Sequence, residues 1–217
     1  MEKLTLYDYA ASANCYKVRL LLAQLGREYR RVPVDIFAGE TLTDAFATMN
    51  PARTTPVLAV GDSAFLPESG AILLYLAEGS ELLPADALAR AQVARWLLYE
   101  QADVVPAIGG LRFRLVTGRL AAGDPRAVAR RRAAGEVLAL LDGHLAADDF
   151  LVDRRYSVAD IGMYGYVHVA PEAGIDLAPF AAVRAWLARV AAQPGHVADL
   201  EPYPANAAPG AGRSTYD

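Results

Sequence analysis

The sequence has a single cysteine and no long apolar run among its 217 residues. Cys15 alone cannot form an intrachain disulfide, which favours a reducing compartment. Although 54% of the residues are hydrophobic, no run approaches the roughly 18 to 20 apolar residues that cross a bilayer. The opening residues lack the basic and apolar regions of a secretory signal. We therefore expect a cytoplasmic protein without a membrane partner.

Charge is also scarce, since only 21% of the residues are charged and the net charge is −4. The one basic cluster, Arg130-Arg131-Arg132, has no interleaved aromatic residues. Because an acidic protein offers no field that attracts a polyanion, the sequence predicts no nucleic-acid partner. Only two of the 21 basic residues are lysine, a bias typical of a GC-rich bacterial genome.

The first 78 residues alternate between strand and helix patterns. Leu4 and Leu6 mark a short strand with period two. A helix follows and ends near Gly26, with its apolar face formed by Val18, Leu21, Leu22 and Leu25. A second strand, a short helix, a hairpin turned at Gly61-Asp62 and a helix over residues 69–77 complete the pattern β-α-β-α-β-β-α. This order predicts an α/β domain whose first two strands pair in parallel.

The remainder of the chain reads as helical. Residues 79–86 have linker composition, and helices are expected over residues 88–118, with a kink at Pro106, and over 125–147, 158–169 and 181–192. We therefore predict an N-terminal domain at 1–80, an all-α domain at 87–205 and an extended tail at 206–217. The sequence Ser157-Val-Ala-Asp160 predicts a capping box with a structural role.

The first motif with chemical potential lies between the first strand and the first helix. Residues 12–17 read Ser-Ala-Asn-Cys-Tyr-Lys. A helix N-terminus attracts an anion such as a thiolate, and Ser12 or Cys15 is within reach of a ligand bound there. Alternatively, Ser12 or Asn14 only caps the helix and Cys15 is a small buried residue.

Two further motifs could contact an extended peptide ligand. A cis Thr55-Pro56 bond at the start of a strand would present the Thr55 backbone groups, whereas a trans proline would be an ordinary strand start. At the next helix start, Glu68 and Ser69 could hold the ammonium and carboxylate of an α-amino acid. The alternative for this second pair is a simple helix cap beside an exposed acid.

In this order and spacing, the motifs resemble the cytosolic glutathione transferase superfamily, and the resemblance covers nearly the whole chain. The matching segments are residues 12–19, 50–58, 67–76 and 157–160. The resemblance implies a thioredoxin-like domain followed by a helical domain, with glutathione as co-substrate and no metal. Ser12 with Asn14 is similar to bacterial members that use Ser or Thr and Asn, while Cys15 and the residues after it are reminiscent of zeta- and chi-like branches.

The resemblance also implies roles for individual residues. Ser12, Asn14 and Cys15 occupy the catalytic segment, and Thr55 and Pro56 the segment that contacts the cysteinyl part of glutathione. Glu68 and Ser69 would hold the γ-glutamyl end. The family's Asn-Pro-x-Gly-x-Val-Pro segment here reads Asn-Pro-Ala-Arg-Thr-Thr-Pro, so that Arg53 replaces the glycine. Arg53 is our candidate for binding the glycyl carboxylate.

The helical domain offers fewer candidates. By the resemblance, the helix that carries Tyr99, Asp103 and Phe113 lines the acceptor site or contacts a partner subunit. The three histidines lie far apart, without the spacing of metal ligands. We therefore expect no metal, and a homodimer is implied by the resemblance.

The expected function is activation of the glutathione thiol for conjugation to small hydrophobic electrophiles, as in detoxification. Three alternatives stay open: disulfide reduction, maleylacetoacetate-type isomerisation, and binding of glutathione or another ligand without catalysis. Because a second cysteine is lacking, the chain cannot cycle between an intrachain dithiol and a disulfide.

Overall fold

The computed structural model describes residues 3–216 and forms two compact units. The first contains the chain up to Leu76 together with the segment from Val197, and the second is Ala77–His196. This division differs from the predicted boundaries at 87–205 and 206–217, because the chain returns to the first unit at Val197. Its closing residues bond to that unit: Arg213 N–H donates to the Phe37 carbonyl and Asn206 Nδ2 to Asp35 Oδ2, both at 2.8 Å.

The first unit has the predicted β-α-β-α-β-β-α order. Its elements are β1 (Leu4–Asp8), α1 (Ala13–Gln24), β2 (Arg30–Pro33), a 3₁₀ turn (Glu40–Leu42), α2 (Asp44–Met49), β3 (Val57–Val60), β4 (Ala64–Pro67) and α3 (Ser69–Ala77). The strands lie in the order β2-β1-β3-β4. β1 pairs with β2 in parallel, and the other two pairs are antiparallel. The loops at Ser12 and Thr55 therefore adjoin neighbouring strands.

Helix α1 is buried on more sides than one apolar stripe would require. The consecutive residues Leu20, Leu21 and Leu22 are all fully buried. Arg19, a charged residue outside the predicted apolar face, is only 1% exposed. Its burial is compensated by two carboxylates, Asp8 and Asp199. The helix is thus embedded in the first unit and fixes the loop before it.

The second unit is helical. Its elements are α4 (Ala87–Tyr99), a π-helical segment (Glu100–Gly109), α5 (Gly110–Val116), α6 (Pro125–Leu145), α7 (Val158–Val167), a 3₁₀ turn (Ala170–Ala173) and α8 (Ala181–Ala191). The capping box at the start of α7 is confirmed, because Ser157 N–H donates to Asp160 Oδ2 at 3.0 Å. None of the helices between residues 3 and 216 combines the length and apolar character needed to span a membrane.

The predicted kink at Pro106 takes the form of widened helical turns. Gly110 N–H donates to the carbonyl of Val105, five residues earlier. Proline lacks an N–H and its ring collides with the carbonyl four residues before it in a regular α-helix. A π-helical winding accommodates both effects without ending the helix.

Candidate functional site

The Ser12 side chain caps the N-terminus of α1. Its Oγ accepts a hydrogen bond from Cys15 N–H at 3.3 Å, and the Ser12 side chain is half-buried. The Ser12 N–H donates to the Tyr9 carbonyl at 3.0 Å, which closes the loop between β1 and α1. Since the first turn of a helix presents free N–H groups and a positive partial charge, the Ser12 hydroxyl lies where an anion is favoured.

Cys15 lies on the same turn but is completely buried. Its Sγ accepts a hydrogen bond from Tyr9 N–H at 3.3 Å. Burial, reinforced by the negative charge of Asp8, raises the pKa of Cys15 to about 11, although hydrogen bonds from Tyr9, Thr55 and Ser12 act to lower it. At neutral pH the side chain is therefore a thiol, and a poor nucleophile.

Asn14 joins the first motif to the third. The Ser69 hydroxyl donates to Asn14 Oδ1 at 3.3 Å, although the two residues are 55 positions apart in sequence. Ser69 is only 3% exposed. We expected Ser69 to cap α3, but Ser69 is the first residue of that helix. Glu68 precedes the helix, and the Glu68 carbonyl accepts a hydrogen bond from Ile72 N–H at 2.9 Å. The starts of α1 and α3 thus meet at one place.

The loop before β3 is built around Asn50. Its Nδ2 donates to the Thr54 carbonyl at 2.9 Å and to Thr54 Oγ1 at 3.0 Å, and its Oδ1 accepts from Ala52 N–H at 3.0 Å. The Thr55-Pro56 peptide bond at the end of this loop is cis, the first of the two alternatives considered for this motif. Asn50 stood in the sequence motif, but its role as the organiser of the loop was not predicted.

Two predicted binding residues have left-handed backbone conformations. Arg53 has φ 57° and Glu68 has φ 71°. Non-glycine residues adopt such angles at a cost of about 1 to 3 kcal/mol, and they cluster at functional sites. The first angle also explains why glycine fits the position of Arg53 in the family motif. The Arg53 guanidinium donates to the Thr43 carbonyl at 3.2 Å and lies 3.5 Å from Asp44.

In the second unit, Tyr99 and Asp103 line a groove of about 760 Å³, whose other lining residues are seven apolar side chains and the charged Arg126, Arg130 and Glu136. Burial and the nearby Asp103 raise the pKa of Tyr99. The third candidate, Phe113, lies on α5 and does not line this groove. The Arg119 guanidinium lies 5.0 Å from the centre of the Phe113 ring. Among residues 3–216, no group of three or more histidine, cysteine or acidic side chains is arranged to hold a metal ion.

These features define a class of protein. A β-α-β-α-β-β-α unit with a cis proline before its third strand is thioredoxin-like, and here an all-helical unit follows it. Two family models match the chain: "Glutathione S-transferase, N-terminal domain" over residues 6–82 and "Glutathione S-transferase, C-terminal domain" over residues 104–194. The chain therefore belongs to the cytosolic glutathione transferase superfamily.

Curated relatives carry different activities in their names. The chain is 31% identical to glutathione S-transferase 3 of Zea mays, covering 89% of this chain and 91% of the relative. It is 36% identical to maleylacetoacetate isomerase of Rhizobium meliloti, with coverage of 80% and 84%. It is 29% identical to disulfide-bond oxidoreductase YfcG of Escherichia coli, with coverage of 86% and 89%.

Solved structures show the same fold. A glutathione S-transferase from Pseudomonas fluorescens is 37% identical, with a TM-score of 0.88 and coverage of 91% of this chain and 99% of that one. A glutathione transferase from Pseudomonas putida, solved with glutathione disulfide bound, is 27% identical, with a TM-score of 0.80 and coverage of 89% of both chains. Glutathione compounds are thus ligands of structural neighbours.

Proposed function

We propose that this protein binds glutathione on its first unit and activates the glutathione thiol for transfer to a small hydrophobic electrophile. The observation that carries the proposal is the contact between Ser69 and Asn14, which joins the starts of α1 and α3 beside Ser12. One ligand could therefore place an amino-acid end at Ser69 and a sulfur atom at Ser12.

The chemistry is electrostatic. A free thiol with a pKa of about 8.5 is only slightly ionised at pH 7, and each unit by which the pKa falls stabilises the thiolate by about 1.4 kcal/mol. The Ser12 hydroxyl would donate a hydrogen bond to the sulfur, and the N-terminus of α1 and Asn14 would add positive potential. Together these groups could lower the thiol pKa by about one to two units.

The remaining groups would orient glutathione. Ser69 and the free N–H groups at the start of α3 suit the α-carboxylate, and the exposed Glu68 suits the ammonium. Thr55 would pair its backbone with the cysteinyl residue. Arg53 would supply a cation for the glycyl carboxylate, since its guanidinium is held by carbonyls and is partly exposed.

For the electrophile, we propose the groove that Tyr99 and Asp103 line, because its seven alanine, proline, valine and leucine side chains suit an apolar molecule beside the charged Arg126, Arg130 and Glu136. We also propose a homodimer. Leu88 and Leu98 on α4 are each 70% exposed, and a second copy of the chain would cover this apolar surface. Light scattering should give twice the mass of the chain, and Leu88→Glu with Leu98→Glu should shift the protein towards monomer.

Isomerisation and disulfide reduction are second candidates that would use the same ligand. They are favoured by the similarity to a maleylacetoacetate isomerase and to a disulfide-bond oxidoreductase. An isomerase would add and then remove glutathione at one carbon, and a reductase would pass electrons from glutathione to a disulfide. The buried thiol of Cys15 counts against a reductase that works through a protein cysteine. Rates with an aryl halide, maleylacetoacetate and hydroxyethyl disulfide should rank the aryl halide first.

Calorimetry with glutathione tests the proposal. Saturable binding is expected, and Glu68→Ala or Ser69→Ala should weaken it by about 1 to 3 kcal/mol through loss of charge-assisted hydrogen bonds. Arg53→Gly removes the guanidinium and suits the left-handed backbone, whereas Arg53→Lys retains a cation. The glycine variant should therefore bind less tightly than the lysine variant. No detectable binding at millimolar glutathione would overturn the proposal.

A further inference from the structure

The segment at residues 197–216, which we term the C-terminal strap, holds the loop that carries Ser12. Its first residue accepts a hydrogen bond through the Val197 carbonyl from Tyr16 Oη on α1 at 2.7 Å. Further along the strap, Glu201 N–H donates to the Ala10 carbonyl at 3.2 Å. Ala10 lies two residues before Ser12, so the strap contacts both ends of the loop-to-helix junction.

The guanidinium of Arg19 is the centre of these contacts. Its Nε donates to Asp199 Oδ2 at 2.9 Å and its Nη2 to the Asp199 carbonyl at 3.1 Å. Its Nη1 donates to Asp8 Oδ1 at 2.6 Å, and Nη2 also donates to the Ala10 carbonyl at 3.3 Å. One buried side chain therefore connects the end of β1, the loop before Ser12 and the strap.

The charges in this cluster balance. Asp8 also accepts from Arg31 Nε on β2 at 2.6 Å, so two arginines face two aspartates. Arg19 and Asp8 are buried, whereas Asp199 and Arg31 are partly exposed, so removing Asp199 leaves the buried Arg19 with one carboxylate partner fewer. If the Asp199 side chain were lost, Arg19 would lose the carboxylate that accepts from its Nε and keep only the backbone carbonyl on the side of the strap, so its hold on the Ala10 carbonyl would weaken.

We propose that Asp199 and Arg19 are positioning residues for Ser12, and that the C-terminal strap completes the sulfur-activating loop of the first unit. The inference rests on the proposed function for its catalytic consequence. Its structural part stands apart from that function, because the strap and the loop contact each other without a ligand. A strap that only stabilised the fold would leave the loop unchanged in the folded protein.

The only cysteine of the chain reports on this loop. Cys15 is fully buried, and its Sγ accepts from Tyr9 N–H within the same loop. A thiol reagent can react only when the loop opens, so the labelling rate of the folded protein measures local opening. The test compares Asp199→Ala with Glu201→Ala. Both remove one negative charge from the strap, but the exposed Glu201 contacts Ala10 through its backbone alone.

At a temperature where all variants are folded, Asp199→Ala should label about tenfold faster than wild type, as expected for one lost charge-assisted hydrogen bond. Its turnover at low glutathione should also fall and its pH midpoint of conjugation should rise, because Ser12 is held less precisely in the closed loop as well. Glu201→Ala should stay within about twofold of wild type on each measure. If Asp199→Ala fails to fold, Asp199→Asn, which keeps an acceptor for Arg19 but loses the charge, should still label faster than wild type.

Equal labelling rates for folded wild type and both Asp199 variants would overturn the proposal and leave the strap a purely structural role. The two proposals can fail separately. A wild-type protein that neither binds glutathione nor turns over an electrophile would refute the proposed function. The labelling comparison would still decide whether Asp199 positions the loop.

Discussion

Helices α1 and α7 both begin after a serine, but the two serines are used differently. The Ser157 hydroxyl accepts from Ala159 N–H at 3.3 Å and donates to Asp160 Oδ2 at 3.2 Å, and the side chain is buried. The Ser12 hydroxyl accepts a hydrogen bond from Cys15 N–H and donates to the Cys15 thiol, and the third residue after it is thus a cysteine rather than an acid. Ser12 is also half-buried instead of enclosed.

The difference shows how one residue type can serve the fold or serve chemistry. In the capping box, the carboxylate takes the hydroxyl hydrogen and the backbone N–H of the serine, so nothing remains to offer a ligand. At α1 no carboxylate of the helix competes for the Ser12 hydroxyl. That hydroxyl can therefore turn its hydrogen towards an incoming sulfur. Substitutions at the two helix starts should accordingly affect different properties.

The largest effect should come from Asp160→Ala. Asp160 accepts hydrogen bonds from Leu151 N–H at 3.1 Å and from Trp186 Nε1 at 2.9 Å, besides those from Ser157. Without the carboxylate these buried donors have no acceptor, which should lower the free energy of unfolding by roughly 3 to 5 kcal/mol. Urea denaturation measures the loss. The control Asp148→Ala removes the half-buried partner of the exposed Arg154 and should cost under about 1 kcal/mol.

A second effect should appear as a pH dependence of stability. Burial raises the pKa of Asp160 from 3.8 to about 6, against hydrogen bonds that act to lower it. The stabilisation from this carboxyl is therefore full below about pH 4 and is lost as pH rises through 6, by roughly 3 kcal/mol. The unfolding free energy of wild type minus that of Asp160→Asn should fall over this range. A difference that rises with pH would show that the hydrogen bonds outweigh burial.

At the other helix start, Ser12→Ala should impair catalysis more than stability. Loss of the hydrogen bond to sulfur should cut turnover at pH 7 by roughly 10- to 100-fold and raise the pH midpoint of conjugation by about one to two units. The lost cap should cost only about 1 kcal/mol of unfolding free energy. Ser12→Thr keeps the hydroxyl and serves as the control. If Ser12→Ala turned over as fast as wild type, Ser12 would have no role in the mechanism.

The sequence was sufficient for features that depend on nearby residues. The strand and helix order follows from periodicity, and the Ser157 box from two residues three positions apart. The left-handed angles of Arg53 and Glu68 were not predictable from residue type, because arginine and glutamate rarely adopt them. The burial of Arg19 could not be predicted, since its partner Asp199 lies 180 positions away. A contact between residues so far apart in sequence can be seen only in the folded structure.

The smallest catalytic effect should come from Cys15→Ala, although Cys15 lies one turn beyond Ser12. A buried thiol with a pKa of about 11 has almost no thiolate at neutral pH, so its removal should change conjugation by less than about twofold. The small cavity left behind should cost about 1 kcal/mol of unfolding free energy. Steady-state rates and thermal melts, set beside those of Ser12→Ala, separate the two residues.

The opposite pattern would reverse the assignment. If Cys15→Ala abolished turnover while Ser12→Ala retained it, and mass spectrometry found a glutathione mixed disulfide on Cys15, the working sulfur would belong to the protein. Such an adduct requires that the loop open, because Cys15 is fully buried in the closed structure. Adduct formation should then be faster in Asp199→Ala than in wild type. Disulfide reduction would in that case replace conjugation as the leading function, with the buried thiol exposed by movement of the loop that the strap holds.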